Sequence, residues 1–483
     1  MKTNRPLSRQ CAVALTCVLL IPVITSGQER PGPHELQSRH HPVIGVSARA
    51  PLSFPKGAYK RSAVVYGYHP YWIPDDAIDE YDFRVLSHVA YFSYEVNPLT
   101  GLPDKLHGWL TSPLFSRARA ALTRVHLCVT NFGSQANTTL LSNPAARDTL
   151  IANLVRLVQR RRADGVNIDF ESVPVAQKGN LVTFFRDLSQ RLRAAVPGAE
   201  VAAAVPAVDW SGSWDLQRLA QYIDLFFIMG YNYYWSGSQK AGPVAPLDGG
   251  NFNLARTVAW YLQSGVPAEK IVLGLPYYGL DWPVTSAARQ APTSGRATAR
   301  TFSRTVEIAA DKGRRFDSLF VSPWSPYQVA GSWRQLWYDD EISLEAKYRF
   351  ALKEGLAGVG MWALGYDAGR TELWDLLRSM FLIPNSVARS GEAPSNPAVA
   401  VYPNPYSDVF SFVIEGWKAR TGTIAGEIVD SYGRIIYKWK DRVEGGRTYI
   451  KRVQAGYFPP GVLFYRLHMD HTVRTGKVIH VLH

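Results

Sequence analysis

The chain has 483 residues, 46% hydrophobic and 19% charged, a balance that builds a sizeable core and excludes global disorder. Lys and Arg outnumber Asp and Glu by 53 to 40. The formal charge of +13 is spread along the chain, with no basic cluster of the kind that grips nucleic acid. Aromatic residues reach 12%, with 14 Trp and 25 Tyr, which suits a surface that stacks on sugars or bases.

Lys2, Arg5 and Arg9 precede an apolar run over 11–21, and the small residues Thr25, Ser26 and Gly27 follow it. This order predicts a secretory signal peptide over 1–27 and an exported protein, at the cell surface or outside the cell. Cleavage there removes Cys11 and Cys17 and leaves Cys128, so no internal disulfide is expected. Cys128 lies in an apolar run and reads as a core residue. Residues 28–61 are rich in Pro, Gly, Ser, Arg and His and have no apolar period, which predicts an extended leader.

From Ser62 the pattern is regular. Strands are predicted at 64–68, 85–93, 125–130, 165–170, 200–205, 225–229, 271–275 and 357–362. Helices are predicted at 147–162, 180–195, 216–222, 253–263, 343–353 and 371–380. The first has Leu150, Ile151, Leu154, Leu157 and Val158 on one face. Strands alternating with helices imply parallel pairing, and this number of them predicts an α/β fold, a closed (β/α)8 barrel over 62–384. No Gly-x-Gly-x-x-Gly follows the first strand, which argues against an open nucleotide-binding sheet. The stretch 281–340 is too long for a plain loop and predicts a small α+β insertion between strands seven and eight. Residues 385–398 read as a polar linker, and 399–483, with short alternating runs and Gly-rich turns, as a C-terminal β-sandwich.

The segment Asp164-Gly-Val-Asn-Ile-Asp-Phe-Glu171 carries the chemistry. Strand alternation puts Asn167, Asp169 and Glu171 on one face, with Val166, Ile168 and Phe170 on the other. Polar groups in a row inside a buried strand are costly unless paired or used. At the C-terminal end of a barrel strand they lie where barrel enzymes place catalysis. Beside a second carboxylate, Glu171 should hold its proton more readily than an isolated Glu, as a general acid requires.

This octapeptide resembles the D-x-x-D-x-D-x-E signature of glycoside hydrolase family 18, the chitinase-like barrels, with Asn167 in place of the second Asp. Four more segments resemble the family in order and spacing: Gly67-Tyr-His-Pro-Tyr-Trp72, Met229-Gly-Tyr-Asn232, Gly274-Leu-Pro-Tyr-Tyr-Gly279 and Gly358-Val-Gly-Met-Trp362. Gln335-Leu-Trp-Tyr-Asp-Asp-Glu-Ile-Ser-Leu344 is similar to the branch with spore-cortex and peptidoglycan hydrolases. The resemblance implies substrate-assisted, retaining cleavage of β-1,4-linked N-acetylglucosamine polymers, chitin or peptidoglycan, with no cofactor and no metal. It assigns Glu171 as acid and base, Asp169 and Tyr231 to the substrate's acetamido group, and Trp362 to the floor of the sugar site. Asp164, Asn167 and Asn232 take supporting roles. Asn232 stands where the family usually has Asp, and both asparagines are expected to alter rate or pH dependence.

Aromatics near strand ends, Tyr71, Trp72, Trp210, Tyr233, Tyr234, Trp235, Tyr278, Trp282 and Trp337, suggest a stacking cleft, about half of them reaching it. Tyr71, Trp72, Trp235, Trp282 and Tyr278 are the candidates for binding sugar, and Trp235 and Trp282 lead because each follows a strand end into a loop. A glycan-binding barrel without turnover and an endo-N-acetylglucosaminidase acting on N-glycans are the alternatives. Val401-Tyr-Pro-Asn-Pro405, Ile428-Val-Asp-Ser-Tyr-Gly-Arg434 and Pro460-Gly-Val-Leu-Phe-Tyr-Arg466 are similar to the C-terminal sorting domain of the type IX secretion system. That resemblance implies that 399–483 engages outer-membrane secretion machinery.

Overall fold

The computed structural model describes residues 31–42, 59–384, 398–402, 409–415, 421–430, 433–444, 449–459, 461–469 and 472–480. The expected signal peptide, most of the linker and the Pro403-Asn-Pro405 turn lie outside these residues. Among them no helix is long and apolar enough to cross a membrane.

Eight strands form the barrel: β1 (Val64–Pro70), β2 (His88–Val96), β3 (Arg124–Phe132), β4 (Gly165–Glu171), β5 (Glu200–Pro206), β6 (Leu225–Met229), β7 (Ile271–Pro276) and β8 (Gly358–Trp362). Neighbours pair in parallel all the way round, and β8 closes on β1. Such strands are covered on both faces, so they read as continuous apolar runs, as Leu225–Met229 does. Phe227 fills the barrel interior. A Cβ at Gly274 on β7 or at Gly360 on β8 would lie 2.3 Å from its ring, so both positions need glycine for volume.

The helix Pro144–Arg161 begins three residues before its predicted start. The Asn143 side chain accepts from the Ala146 N–H at 3.3 Å, Pro144 occupies the first turn, and Arg162 ends the helix in the left-handed region. Leu150, Ile151, Leu154, Leu157 and Val158 are all buried, as their spacing predicts. Each such side chain contributes roughly 1.5–3 kcal/mol through burial. Two short helices, Leu114–Ala120 and Ser134–Ser142, carry too weak a period to be read from sequence.

The insertion starts earlier than predicted, at Tyr278. It is a five-stranded antiparallel sheet with the helix Phe302–Lys312 packed on it. The motif at 335–344 ends this insertion. Asp340 caps the helix Glu341–Lys353 by accepting from the Ser343 N–H at 3.0 Å, and Asp339 forms an enclosed ion pair with Lys347. Two further antiparallel sheets, of three and four strands, share a core of Phe410, Phe412, Ile414, Ile428, Leu463 and Leu467, giving the expected C-terminal sandwich.

The leader corrects one expectation. Within 28–61, which reads as extended, Pro33–Arg39 is a helix. Pro33 presets its first turn, Glu35 accepts from the Gly32 N–H at 3.3 Å, and Arg39 pairs with Glu35 one turn later at 2.5 Å. Tyr59–Arg61 then pairs antiparallel with Leu382–Pro384 beneath the barrel.

Candidate active site at the C-terminal ends of the strands

All seven residues of β4 are buried, and its alternation carries Asn167, Asp169 and Glu171 inward, as expected. The chain turns sharply after Glu171, where Ser172 has φ of 62°. The Glu171 carbonyl is held by Asn137 Nδ2 at 2.7 Å and by the Gly133 N–H at 3.1 Å. Asn137 is fully buried and is itself braced by Asn131 Nδ2 at 2.9 Å. Neither asparagine has a sequence signal that marks it. Tyr68 on β1 donates to Asn167 Oδ1 at 2.9 Å.

Asp164 is corrected. It lies just before β4, seven residues and roughly 23 Å of strand from Glu171. Its carboxylate accepts from the Val125 N–H at 2.8 Å and ties β3 to β4 at the opposite mouth of the barrel, away from any reacting group.

Tyr231 and Asn232 follow β6, and Trp362 ends β8. Asn232 sits at φ of 57°, a conformation Asn tolerates better than most residues, and accepts from Tyr278 O–H at 2.7 Å. Asp169, Tyr231 and Trp362 converge on one imidazole, that of His34 in the leader helix, and Glu171 meets the backbone beside it. His34 Nδ1 is 2.8 Å from Asp169 Oδ2, and Nε2 is 2.5 Å from the Tyr231 hydroxyl. The ring stacks on Trp362 at 3.8 Å and 21°. The N–H groups of His34 and Glu35 donate to the two oxygens of Glu171, each at 3.0 Å. Trp362 Nε1 and Tyr366 O–H both donate to Gln37 Oε1, at 2.8 and 2.9 Å. Nothing in the leader's composition points to these contacts.

The electrostatics follow from burial. Loss of solvent, and then Asp169, push Glu171 up to about 8 against the two leader amides that hold it down. Loss of solvent also pushes Asp169 well up and His34 down to about 4. Burial therefore works against the charged form of both members of that pair. Tyr231 is pushed up by burial and keeps its proton.

Tyr71 and Trp72 are half-buried at the rim, and His41 stacks on Trp72 at 4.3 Å and 13°. Trp235 is half-buried, with the Arg296 guanidinium 5.7 Å over its ring. Tyr278 is enclosed but borders a cavity of about 790 Å³ that opens beside the leader helix. Trp282 is corrected: it is fully buried, because its strand Tyr278–Pro283 is an inner strand of the insertion sheet, paired on both sides, so no sugar can stack on it. Trp337 is enclosed in the same sheet, stacked on Trp324 at 5.1 Å, whereas Trp210 is 58% exposed.

Among the described residues two groups bring metal-binding atoms within 4.8 Å of one another. One is His34, Asp169 and Glu171. The other lies at the opposite mouth, where His88 and His126 point Nε2 at Glu200 Oε2, at 3.0 and 3.1 Å, and Arg124 pairs with Glu200 Oε1 at 2.6 Å. Burial pushes Glu200 up, but hydrogen bonds and charge from the two imidazoles outweigh it and hold the carboxylate well below its usual range, which makes the group a cross-tie between three strands.

A closed parallel barrel that gathers two carboxylates, a tyrosine and a tryptophan at its C-terminal strand ends is the architecture of a barrel glycosidase. The chain belongs to the glycosyl hydrolases family 18, whose model matches residues 117–367. It is 28% identical over 312 residues to a putative sporulation-specific glycosylase of Bacillus subtilis, covering 62% of this chain and 70% of that one. It is 30% identical over 257 residues to a class V chitinase of Arabidopsis thaliana (48% and 66%). A cortical fragment-lytic enzyme of Bacillus anthracis matches at 22% over 314 residues (62% and 69%). Among solved structures, a family 18 chitinase of Cycas revoluta in complex with (GlcNAc)3 superposes with a TM-score of 0.60 at 22% identity, covering 66% of this chain and 99% of that one. A chitinase-like agglutinin of Robinia pseudoacacia superposes with 0.58 at 22% identity (65% and 98%). The fold and the glycosidase class are those expected from the sequence.

Proposed function

We propose that the protein is a retaining glycosidase that cleaves β-1,4 bonds of N-acetylglucosamine polymers, chitin or peptidoglycan, with the substrate's own acetamido group as nucleophile. One observation carries this reading. A single imidazole meets Asp169, Tyr231 and the face of Trp362 together, and the backbone beside it meets Glu171. A 2-acetamido sugar needs the same set: a carboxylate for its N–H, a hydroxyl for its oxygen, an apolar floor, and an acid over the glycosidic oxygen.

In the first step Glu171 gives its proton to the glycosidic oxygen as the C1–O bond breaks. The acetamido oxygen bonds to C1, forming an oxazolinium ion. Asp169 orients the acetamido N–H and balances the positive charge, and Tyr231 holds the acetamido oxygen. Glu171 then takes a proton from water as the water oxygen bonds to C1 and the bond from the acetamido oxygen to C1 breaks, which restores the acetamido group with net retention. Names among the relatives, a class V chitinase and a cortical fragment-lytic enzyme, support the substrate class.

The test is product analysis on N-acetylglucosamine oligomers and on purified peptidoglycan, wild type beside Glu171→Gln. Loss of a general acid costs on the order of 10²–10⁴-fold. Near-wild-type turnover in Glu171→Gln removes the acid. The likeness to an agglutinin keeps a second reading, a lectin, which binding without cleavage by either protein would favour.

Export by the segment 1–27 and surface delivery by 399–483 complete the proposal. A chain lacking 399–483 is expected to stay in the periplasm with its catalytic domain active. Surface delivery of that truncated chain removes the sorting role.

A further inference from the structure

We infer that the catalytic end of the barrel is a peptide-binding site, and that its resident ligand is the chain's own leader segment 32–41, which excludes sugar while it is seated. The inference rests on reading this site as the sugar site.

Four features carry it. The His34 ring occupies the position of the acetamido group, with both nitrogens and one face engaged by Asp169, Tyr231 and Trp362. The first amides of the leader helix have no partners of their own, as at any helix start, and the Glu171 carboxylate takes two of them. Gln37 Oε1 accepts from both Trp362 Nε1 and Tyr366 O–H, and His41 covers the ring of Trp72. Finally, Gly32 passes so close to Glu171 that an added Cβ would lie 1.9 Å from Oε2 and 2.7 Å from the Glu171 Cβ. Only glycine fits there. A pyranose ring on Trp362 and the His34 ring on Trp362 need the same space, so occupancy is mutually exclusive.

The leader is tethered, which favours it over any free competitor. Residues 43–58 join it to the barrel, enough chain to reach roughly 50 Å when extended, so the segment can leave the site with no peptide bond broken. The substrate must therefore displace an intramolecular ligand.

The experiment uses the full chain as wild type, Gly32→Ala and His34→Ala. Two quantities are read: affinity for tetra-N-acetylchitotetraose, and hydrogen exchange at the amides of 34–37. The expected result is slow exchange at these amides in the wild type and fast exchange in both variants. Both variants should also bind the tetrasaccharide at least tenfold more tightly. A synthetic peptide of residues 31–42, added to His34→Ala, should compete with the tetrasaccharide. Unprotected exchange at 34–37 in the wild type overturns the seat, whatever the sugar does. Equal sugar affinity in all three proteins overturns the exclusion. Protected amides with no sugar binding by any of the three keep the peptide site and instead remove the reading of the barrel as an N-acetylglucosamine site.

Discussion

The hydroxyl of Tyr68 donates to the side-chain oxygen of Asn167 at 2.9 Å, which fixes the amide on the inner face of β4 two residues before Asp169. Among the described residues neither Asn167 Nδ2 nor Asp169 Oδ1 has a hydrogen-bond partner. Asp169, deprived of solvent and lacking a charged neighbour at 167, is governed by burial. Asn167→Asp puts a second carboxyl beside it. Two buried like charges cannot both ionise, so one proton is retained to higher pH. The acidic limb of the kcat/KM profile should move up by about one unit or more. Superimposable profiles for wild type and variant would show that position 167 does not tune Asp169.

As the proposed acid, Glu171 should set the alkaline limb. An acid catalyst must carry its proton, and burial with Asp169 pushes this carboxyl up to about 8. In the free, leader-covered enzyme that kcat/KM reports, activity should hold through neutrality and fall about tenfold per pH unit beyond that value. A decline that starts near the ordinary carboxyl range, measured over pH 4–10, would mean that the acid is solvated during turnover.

His69 should make the barrel sensitive to mild acid. Its ring is buried, with Nδ1 2.9 Å from the Tyr81 hydroxyl, and burial pushes it down to about 3. In the unfolded chain it takes a proton near 6.5. The folded state keeps the neutral ring, so its stability is intact above 6.5 and is lost progressively as pH falls toward 3. The loss between pH 6.5 and 5 is about 2 kcal/mol. His69→Phe should show a flatter stability curve in urea unfolding over that range. An equal slope in the two proteins would assign the acid sensitivity elsewhere.

The enclosed pair of Asp339 and Lys347 gives the motif at 335–344 a structural purpose. Both side chains are fully buried, and Ser343 Oγ donates to Asp339 at 2.6 Å. Lys347→Met strands a carboxylate in the core and should cost about 3 kcal/mol or more in unfolding free energy. The double variant with Asp339→Leu should recover most of that loss, because two apolar side chains replace the pair. Failure of the double variant to recover would mean that the pair also fixes the end of the insertion.

The barrel was legible because its signals are local. Strands covered on both faces are mostly apolar, and helices packed on them repeat their apolar residues every three or four positions, so both patterns stand in the sequence at Leu225–Met229 and Pro144–Arg161. The pairing of Asp169 with Glu171 on one face was legible for the same reason, since alternation along a strand is fixed by the backbone. The place of Asp164 was not, because a shared octapeptide does not reveal which mouth of the barrel its first residue reaches. Nor was the enclosure of Trp282, since an antiparallel sheet folded from 278–337 covers it after the chain has run on for some fifty residues. The leader lay furthest from view. The barrel partners of His34, Glu35 and Gln37 are 135 to 329 positions away in sequence, and no local pattern encodes contacts at that range. The sequence by itself determined the barrel and the inward face that carries Asp169 and Glu171. Which residues stand over that face was decided by tertiary structure alone, because occupancy of a cleft depends on the shape and polarity of groups brought from strands β4, β6 and β8 at once.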